Sequence, residues 1–392
     1  MKTLDEISEK YGIRLLDDGK VTVPDWDAVL AVSENFRILA TKETTSRWHQ
    51  EKNMLTHTKM VCECMRVLAN NYSIIDKRDK LTLMLAAMFH DIGKCRCVNS
   101  EDGRLLSNGH PQISERLCRQ ELWELNVLDR ERICELVLWH DLYCSSDISD
   151  RKLLTKIGKL SMWLFIHLDY LFMLWMSDDA GALKPIELEG SSYNMIERVK
   201  SLDLKYVHHI PNGSTKGLFN DFTVYVMCGI PGCGKSTWCA DNIPDLPVVS
   251  RDIVREELGI TDVGVKAIGT KDEEDEVTRV VDAEALELCK KRQSFVYDNM
   301  NSREKYRKAF YDKIRKFKPV VRYIYLEVTD LSLLEKRRPE IACKGDGVFD
   351  RLVYNMEFPR PYEYDTLEIH QNLSDPNDEY FNYDLIGTLH LN

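Results

Sequence analysis

The segment Gly229-Ile-Pro-Gly232-Cys233-Gly234-Lys235-Ser236, entered from the apolar run Phe222 to Cys228, constrains this chain more than any other feature. An apolar strand running into closely spaced glycines lets successive backbone N–H groups, those of Cys233 and its neighbours included, turn inward around an anion. In such a loop Lys235 neutralises the outer phosphates and Ser236 ligates magnesium. Thr237-Trp-Cys-Ala then opens a helix whose positive end faces the same anion. The second half of the chain is therefore expected to handle ATP or another NTP with Mg²⁺.

The remainder divides in two. At 392 residues the chain exceeds one comfortable core. From about 50 to 200 it reads as helix after helix: Met60, Val61, Cys64 and Leu68 share a face, Leu81 to Phe89 is a buried apolar helix, and Ile133 to Trp139 and Leu153 to Met176 follow. The first forty residues read as a cap on these helices. After the turn-rich Pro211 to Gly217, strand candidates Phe222–Cys228, Pro247–Ser250, Phe295–Asp298 and Val320–Val328 alternate with helices near Thr278–Arg292 and Ser302–Phe317. The fold class expected is an all-α domain, residues 1–215, followed by an α/β P-loop domain with a parallel sheet, residues 216–392.

A formal charge of −11 argues against a protein that coats duplex nucleic acid nonspecifically. The amino-terminal residues lack the apolar core of a signal peptide, and twelve cysteines without stapled-domain spacing read as reduced thiols, so a cytoplasmic protein is expected. No membrane partner is expected: the apolar stretch Leu160 to Met176 is short for a bilayer and carries His167 and Asp169. Cys62, Cys64, Cys95 and Cys97 form two Cys-x-Cys pairs, but residues two apart on a helix do not share a face, so they read as buried thiols.

Just past the second strand candidate stands Ser250-Arg251-Asp252-Ile-Val-Arg255, where a parallel sheet presents its active-site crevice. A carboxylate there can take the proton of an attacking hydroxyl, which makes Asp252 the candidate general base, with Arg251 and Arg255 holding an anionic acceptor. Ser or Asp at this place also caps a helix well. These motifs, Gly234-Lys-Ser-Thr-Trp238, Arg251-Asp252-Ile-Val-Arg255 and Asp298-Asn-Met-Asn301, resemble the polynucleotide 5′-kinase family over roughly residues 222 to 365. The resemblance implies that Asp252 activates the 5′-hydroxyl and that Arg255 contacts the neighbouring phosphate. It also implies that Asp298 and Asn301 support the acceptor site and that a lid arginine, Arg337 or Arg338, clamps the donor phosphates. The segment Arg303 to Lys318 carries eight basic residues against Glu304 and Asp312, a net of +6. It suits either a nucleic acid backbone or a solvated helix face.

In the helical half, Phe89-His90-Asp91-Ile-Gly-Lys94 ends an apolar helix. His57 opens an earlier helix, and Asp178-Asp179-Ala-Gly closes a later one. Two imidazoles and two carboxylates suit a transition metal such as Mn, Fe, Co, Ni or Zn. The order His, His-Asp, Asp on consecutive helices resembles the HD phosphohydrolase superfamily over about residues 45 to 200. The resemblance implies a divalent cation held by His57, His90, Asp91 and Asp179, which fits the family ending Asp-Ala-Gly better than its neighbour Asp178. It further implies that Lys94 steadies the substrate phosphate and that His110 and His140 bind phosphate or a second metal.

The tandem arrangement resembles bacterial end-healing enzymes. It implies removal of 2′,3′-cyclic, 2′- or 3′-phosphates and NTP-dependent phosphorylation of 5′-hydroxyls on RNA or DNA ends, with a separate ligase to seal them. Two alternatives stand beside it: a nucleotide phosphohydrolase fused to a nucleoside or sugar kinase, and an NTP-operated switch.

Overall fold

The computed structural model describes residues 1–43, 50–72, 75–99, 105–161, 167–186, 189–202, 221–260, 270–343, 345, 347–372 and 383–390. It divides into two compact units, Met1–Ile210 and Pro211–Asn392. The boundary expected near residue 215, the turn-rich Pro211 to Gly217 and the adjoining His208 and His209 lie outside the described residues.

The first unit is helical. Three short helices, α1 (Leu4–Lys10), α2 (Trp26–Val32) and α3 (Glu34–Leu39), precede α4 (Met54–Asn71) and α5 (Lys77–Phe89). Asn53 caps α4 by accepting from the Thr56 N–H at 2.9 Å. From Met54 to Ala69 a stripe of buried side chains at helical spacing faces inward. Every residue of α5 from Leu81 to Phe89 is buried, so this helix is the axis of the unit, and α1, α4, α7 and α9 pack against it. The chain continues through a 3₁₀ turn at Ile92–Arg96, an antiparallel pair of two-residue strands, β1 (Val98–Asn99) and β2 (Leu105–Leu106), then α6 (His110–Glu121) and α7 (Val127–Leu138). A second 3₁₀ turn at His140–Cys144 leads to α8 (Asp150–Ser161), α9 (Leu168–Ala180) and α10 (Ser191–Ser201). The apolar stretch expected as one helix from Leu153 to Met176 is thus interrupted: His167 is extended (φ −75°, ψ 136°) and begins α9, which places Asp169 in the exposed first turn.

The second unit is a six-stranded sheet. Its strands are β3 (Thr223–Cys228), β4 (Val248–Ser250), β5 (Phe295–Asp298), β6 (Val320–Glu327), β7 (Thr366–Asn372) and β8 (Tyr383–His390), in the order β4-β5-β3-β6-β7-β8. All pairings are parallel except β7 with β8. Helices α11 (Lys235–Asn242), α12 (Arg251–Glu257), α13 (Lys271–Lys290), α14 (Glu304–Ile314), α15 (Leu331–Arg337), α16 (Pro339–Ala342) and α17 (Val348–Tyr354) connect or flank the strands. Asp298 at the end of β5 is in register with Met227 of β3 and Ser250 of β4. Three strand ends therefore lie side by side at the carboxyl edge, which is where a doubly wound sheet offers its crevice. Among the described residues no helix is long and apolar enough to cross a membrane.

Candidate functional site

Two close approaches assemble the polar centre of the helical unit. Gly93 follows the His90-Asp91 pair, and a Cβ there would lie 2.5 Å from the His110 carbonyl oxygen and from the Ser114 nitrogen. Only glycine lets the turn after α5 press onto the start of α6, and the Gly93 N–H donates to Ser114 Oγ at 2.9 Å. Gly181, just past α9, does the same against α4, where a Cβ would meet Val61 at 2.7 Å.

These contacts bring two sets of donors together. His57 Nε2 stands 3.0 Å from Asp178 Oδ1 and 3.3 Å from His90 Nε2, with Asp91 Oδ2 at 3.5 Å. On the other oxygen of Asp91, Oδ1 lies 3.0 Å from His110 Nε2 and 3.4 Å from His140 Nε2, and those two nitrogens are 3.0 Å apart. His57, His90 and Asp178 form one buried cluster able to hold a metal ion, and Asp91, His110 and His140 form another.

The tautomers follow from the backbone. Nδ1 of His90, His110 and His140 donates to the carbonyls of Ala87, Ser107 and Val137 at 2.7, 2.8 and 2.7 Å. Nδ1 of His57 faces Glu51 Oε1 at 3.6 Å, and the Leu183 N–H donates to the same oxygen at 2.6 Å. With Nδ1 so occupied, the Nε2 atoms of His90, His110 and His140 all point to the centre, where each can offer a lone pair to a cation once its proton is displaced. Burial raises the Asp91 carboxyl, but Lys94 and His90 beside it hold it well below the usual range. Burial likewise works against charge on His90, yet Asp91 and Asp178 push it up to about 10. A donor set so dependent on nearby positive charge fits a divalent cation.

Asp178, not Asp179, supplies the carboxylate from α9. Neighbouring helical residues point about 100° apart, and Asp179 turns away to pair with Lys184 and to accept from Ser192 N–H and Oγ at 3.0 and 2.8 Å. Lys94 is buried with its ammonium 2.6 Å from Asp91 Oδ2, and so steadies the ligand carboxylate itself. His110 and His140, expected as phosphate-binding or second-metal residues, face Asp91 as potential metal ligands. Glu51 had no sequence signal. Cys62, Cys95 and Cys97 are buried free thiols outside both clusters.

In the second unit the glycine loop turns as its sequence requires, with φ of 150°, 85° and 96° at Gly229, Gly232 and Gly234. Lys235 Nζ donates to the Gly229 carbonyl at 2.9 Å, curling the loop around the space a phosphate takes, and Thr237 lies in the first turn of α11. Ser236 Oγ donates to Asp298 Oδ2 at 3.1 Å. This hydroxyl and carboxylate are the pair that holds Mg²⁺ in P-loop enzymes. Burial pushes the Asp298 carboxyl up, against the pull of Lys235.

Ser250 is the cap of α12, accepting from the Asp252 N–H at 3.3 Å. The Asp252 carboxylate is therefore spared from capping; its side chain is 91% exposed and Oδ1 lies 2.6 Å from Arg255 Nη1. Glu274 of α13 holds both arginines: it accepts from Arg255 Nε and Nη2 at 2.8 and 2.9 Å and from Arg251 Nη2 at 2.6 Å. Arg251 also donates to Thr278 Oγ1 at 2.8 Å. The hydrogen bonds from Arg255, with those from Arg251, lower the Glu274 carboxyl from 4.5 to about 2. That clamp is complete above about pH 4.5 and is lost only as pH falls toward 2.

Asn301, expected beside the acceptor, instead turns inward. Its Nδ2 donates to the Met227 carbonyl at 2.7 Å, and its own carbonyl accepts from Arg307 at 2.9 Å. Of the two lid arginines, Arg337 reaches the loop, donating to Gly232 O at 3.1 Å and Asn372 Oδ1 at 3.2 Å, whereas Arg338 pairs outward with Glu340. The basic segment is largely engaged within the fold. Arg307 is buried on Glu363, Lys308 and Arg315 meet Asp312, Lys313 meets Asp282, and Arg303 donates to Asn355.

Compared with known protein families, residues 54–158 match the HD domain model and residues 224–339 match an AAA domain model. No curated protein matches the chain. The first match spans His57, His90, Asp91, His110 and His140; the second spans the phosphate loop, Asp252, Glu274, Asp298 and Arg337. The chain thus joins an HD phosphohydrolase domain with candidate metal-binding residues to a P-loop, kinase-like AAA domain that implies a nucleotide and Mg²⁺.

Proposed function

We propose that this chain heals broken nucleic-acid ends. The HD unit hydrolyses 2′,3′-cyclic, 2′- or 3′-phosphates, and the P-loop unit phosphorylates 5′-hydroxyls from ATP or another NTP, on RNA or DNA. A separate ligase seals the products, and the free thiols fit work in the cytoplasm. The observation that carries the reading is the exposed Asp252 with two arginines fixed beside it by one carboxylate, Glu274. A small hydroxyl acceptor needs one base; a second oriented guanidinium suits the phosphate next to a strand's terminal hydroxyl.

In the HD unit, His57, His90, Asp178 and one oxygen of Asp91 would hold one cation, and His110, His140 and the other oxygen a second. Such cations, when bound, lower the pKa of water and polarise a phosphoryl oxygen. Glu51 and the three backbone carbonyls orient the imidazoles, and Lys94 fixes Asp91. In the P-loop unit Asp252 takes the proton of the attacking hydroxyl, Arg255 orients the acceptor, Lys235 and Arg337 meet the donor phosphates, and Ser236 and Asp298 would hold Mg²⁺.

The test is an RNA bearing a 5′-hydroxyl and a 2′,3′-cyclic phosphate, incubated with labelled ATP and, separately, with Mn²⁺ or Co²⁺. Label on the 5′ end and free hydroxyls on the 3′ end support the reading. Equal labelling of free nucleosides would favour the small-molecule alternative, and acceptor-independent turnover the switch. For Glu274→Ala, the acceptor KM is expected to rise roughly tenfold with the KM for ATP nearly unchanged. Steady-state kinetics with a 5′-hydroxyl oligonucleotide checks this, and an unaltered acceptor KM would remove Glu274 from the acceptor site.

A further inference from the structure

We infer that Tyr143 is a positioning residue of the cation centre, making Asp178 a one-oxygen ligand and tying the two donor sets together. The inference rests on the two-cation reading above and is independent of the substrate.

Asp178 has two oxygens with different surroundings. Oδ1 faces His57 Nε2 at 3.0 Å and His90 Nε2 at 3.4 Å, whereas Oδ2 accepts a hydrogen bond from the Tyr143 hydroxyl at 3.2 Å. A carboxylate held this way by a neutral donor keeps one oxygen for a metal and cannot swing to offer both. The phenol is anchored for the task. It is buried, and its ring lies 6.3 Å from that of Trp175, which is itself fully buried and donates to the Trp139 carbonyl at 3.0 Å.

Position in the chain supplies the coupling. Tyr143 sits three residues after His140 on one 3₁₀ turn, His140–Cys144, and residues three apart on such a turn lie over one another. One turn therefore presents His140 to the Asp91 side of the centre and, through Tyr143, grips Asp178 on the other. A shift of that turn moves both donor sets at once.

The experiment uses the full chain stripped of metal and titrated with Co²⁺, read by calorimetry and visible absorption. A His140→Ala background isolates the His57, His90 and Asp178 set. There, Tyr143→Phe is expected to weaken Co²⁺ binding about 10–100-fold and to alter the visible band, with only a small drop in the unfolding midpoint, since one hydroxyl and one hydrogen bond are lost. In the unmodified background the same substitution is expected to weaken both binding steps.

Ile7→Ala, a buried position in α1 away from both donor sets, serves as the packing control: it is expected to lower the unfolding midpoint and leave the Co²⁺ spectrum as it was. Identical Co²⁺ curves with and without the Tyr143 hydroxyl would overturn the inference, as would a spectral change of equal size from Ile7→Ala. A protein that binds Co²⁺ as expected but leaves RNA ends untouched would overturn the end-healing reading alone. Processed ends with a silent Tyr143→Phe would overturn this one alone.

Discussion

Asp91→Ala is expected to lower phosphate release from 3′ ends by at least about 10³-fold, roughly 4 kcal/mol of transition-state stabilisation. Phosphorylation of 5′-hydroxyls by the same protein should stay within about twofold of the unmodified chain. The size follows from geometry. Each Asp91 oxygen faces a different pair of imidazoles, at 3.5 and 3.4 Å on one side and 3.0 and 3.4 Å on the other, so one substitution strips a ligand from both sets. It also removes the carboxylate 2.6 Å from the buried Lys94 ammonium, and positive charge less compensated at that point disfavours a cation nearby. His110→Ala, which removes a ligand from one set only, should cost less. Release of phosphate from a 3′-phosphorylated oligonucleotide with added Mn²⁺ measures both. Equal losses from the two variants would mean that Asp91 serves a single cation, and residual activity near that of the unmodified chain would exclude it as a ligand.

The parts of this centre differ in how far sequence alone reaches them. His57, His90 and Asp91 were accessible because each marks a helix end: α4 begins at Met54 and α5 ends at Phe89. The choice between Asp178 and Asp179 was not, since both lie in the last turns of α9 and differ only in rotation about its axis. What fixes that rotation is packing of α9 on α4 and α5, with Gly181 against Val61, a distance no local pattern encodes. Glu51 and Tyr143 act through His57 and Asp178, and Glu274 stands nineteen residues beyond Arg255, so their roles arise only once the fold brings them across.

In the α/β unit the strand–glycine loop–helix series was legible because apolar runs and turn residues alternate. The β7–β8 pair was not anticipated: Thr366-Leu-Glu-Ile-His-Gln-Asn lacks a strand-like apolar pattern although nearly all of it is buried, because its polar groups find partners only in the fold, Gln371 donating to Thr329 Oγ1 and Asn372 to the Cys233 carbonyl at 3.1 Å each. Asn301 shows the converse failure. An amide beside a strand end looks available for a ligand, yet a backbone carbonyl needing a donor takes it first. Helix α13 starts at Lys271, well before the Thr278 read from periodicity, because Thr270 and Glu273 form a capping box that extends it. That extension is what delivers Glu274 to the arginines.

Asp252→Asn is expected to reduce 5′-hydroxyl phosphorylation by about 10²–10⁴-fold while 3′-phosphate release continues unchanged. The amide is nearly isosteric and can still lie beside Arg255, so folding and nucleotide binding should be conserved; what is lost is the ability to accept a proton from the attacking hydroxyl. Two features make the assignment specific. Ser250 performs the capping of α12, so the substitution removes no helix cap, and the exposed carboxylate stands beside strand ends that place Ser236 and Asp298 along the same edge. Lys235→Ala should fail differently, by raising the KM for ATP as well as lowering kcat, because on the proposed reading it would meet the donor phosphates in both ground and transition states. Transfer of labelled phosphate to a 5′-hydroxyl oligonucleotide, with ATP affinity measured by calorimetry on the same preparations, separates the two. If Asp252→Asn retained full transfer, the proton would have to leave by another route. The exposed carboxylate at the end of β4 would then be an electrostatic partner of Arg255 alone, and the acceptor would be oriented by the Glu274 clamp without a side-chain base.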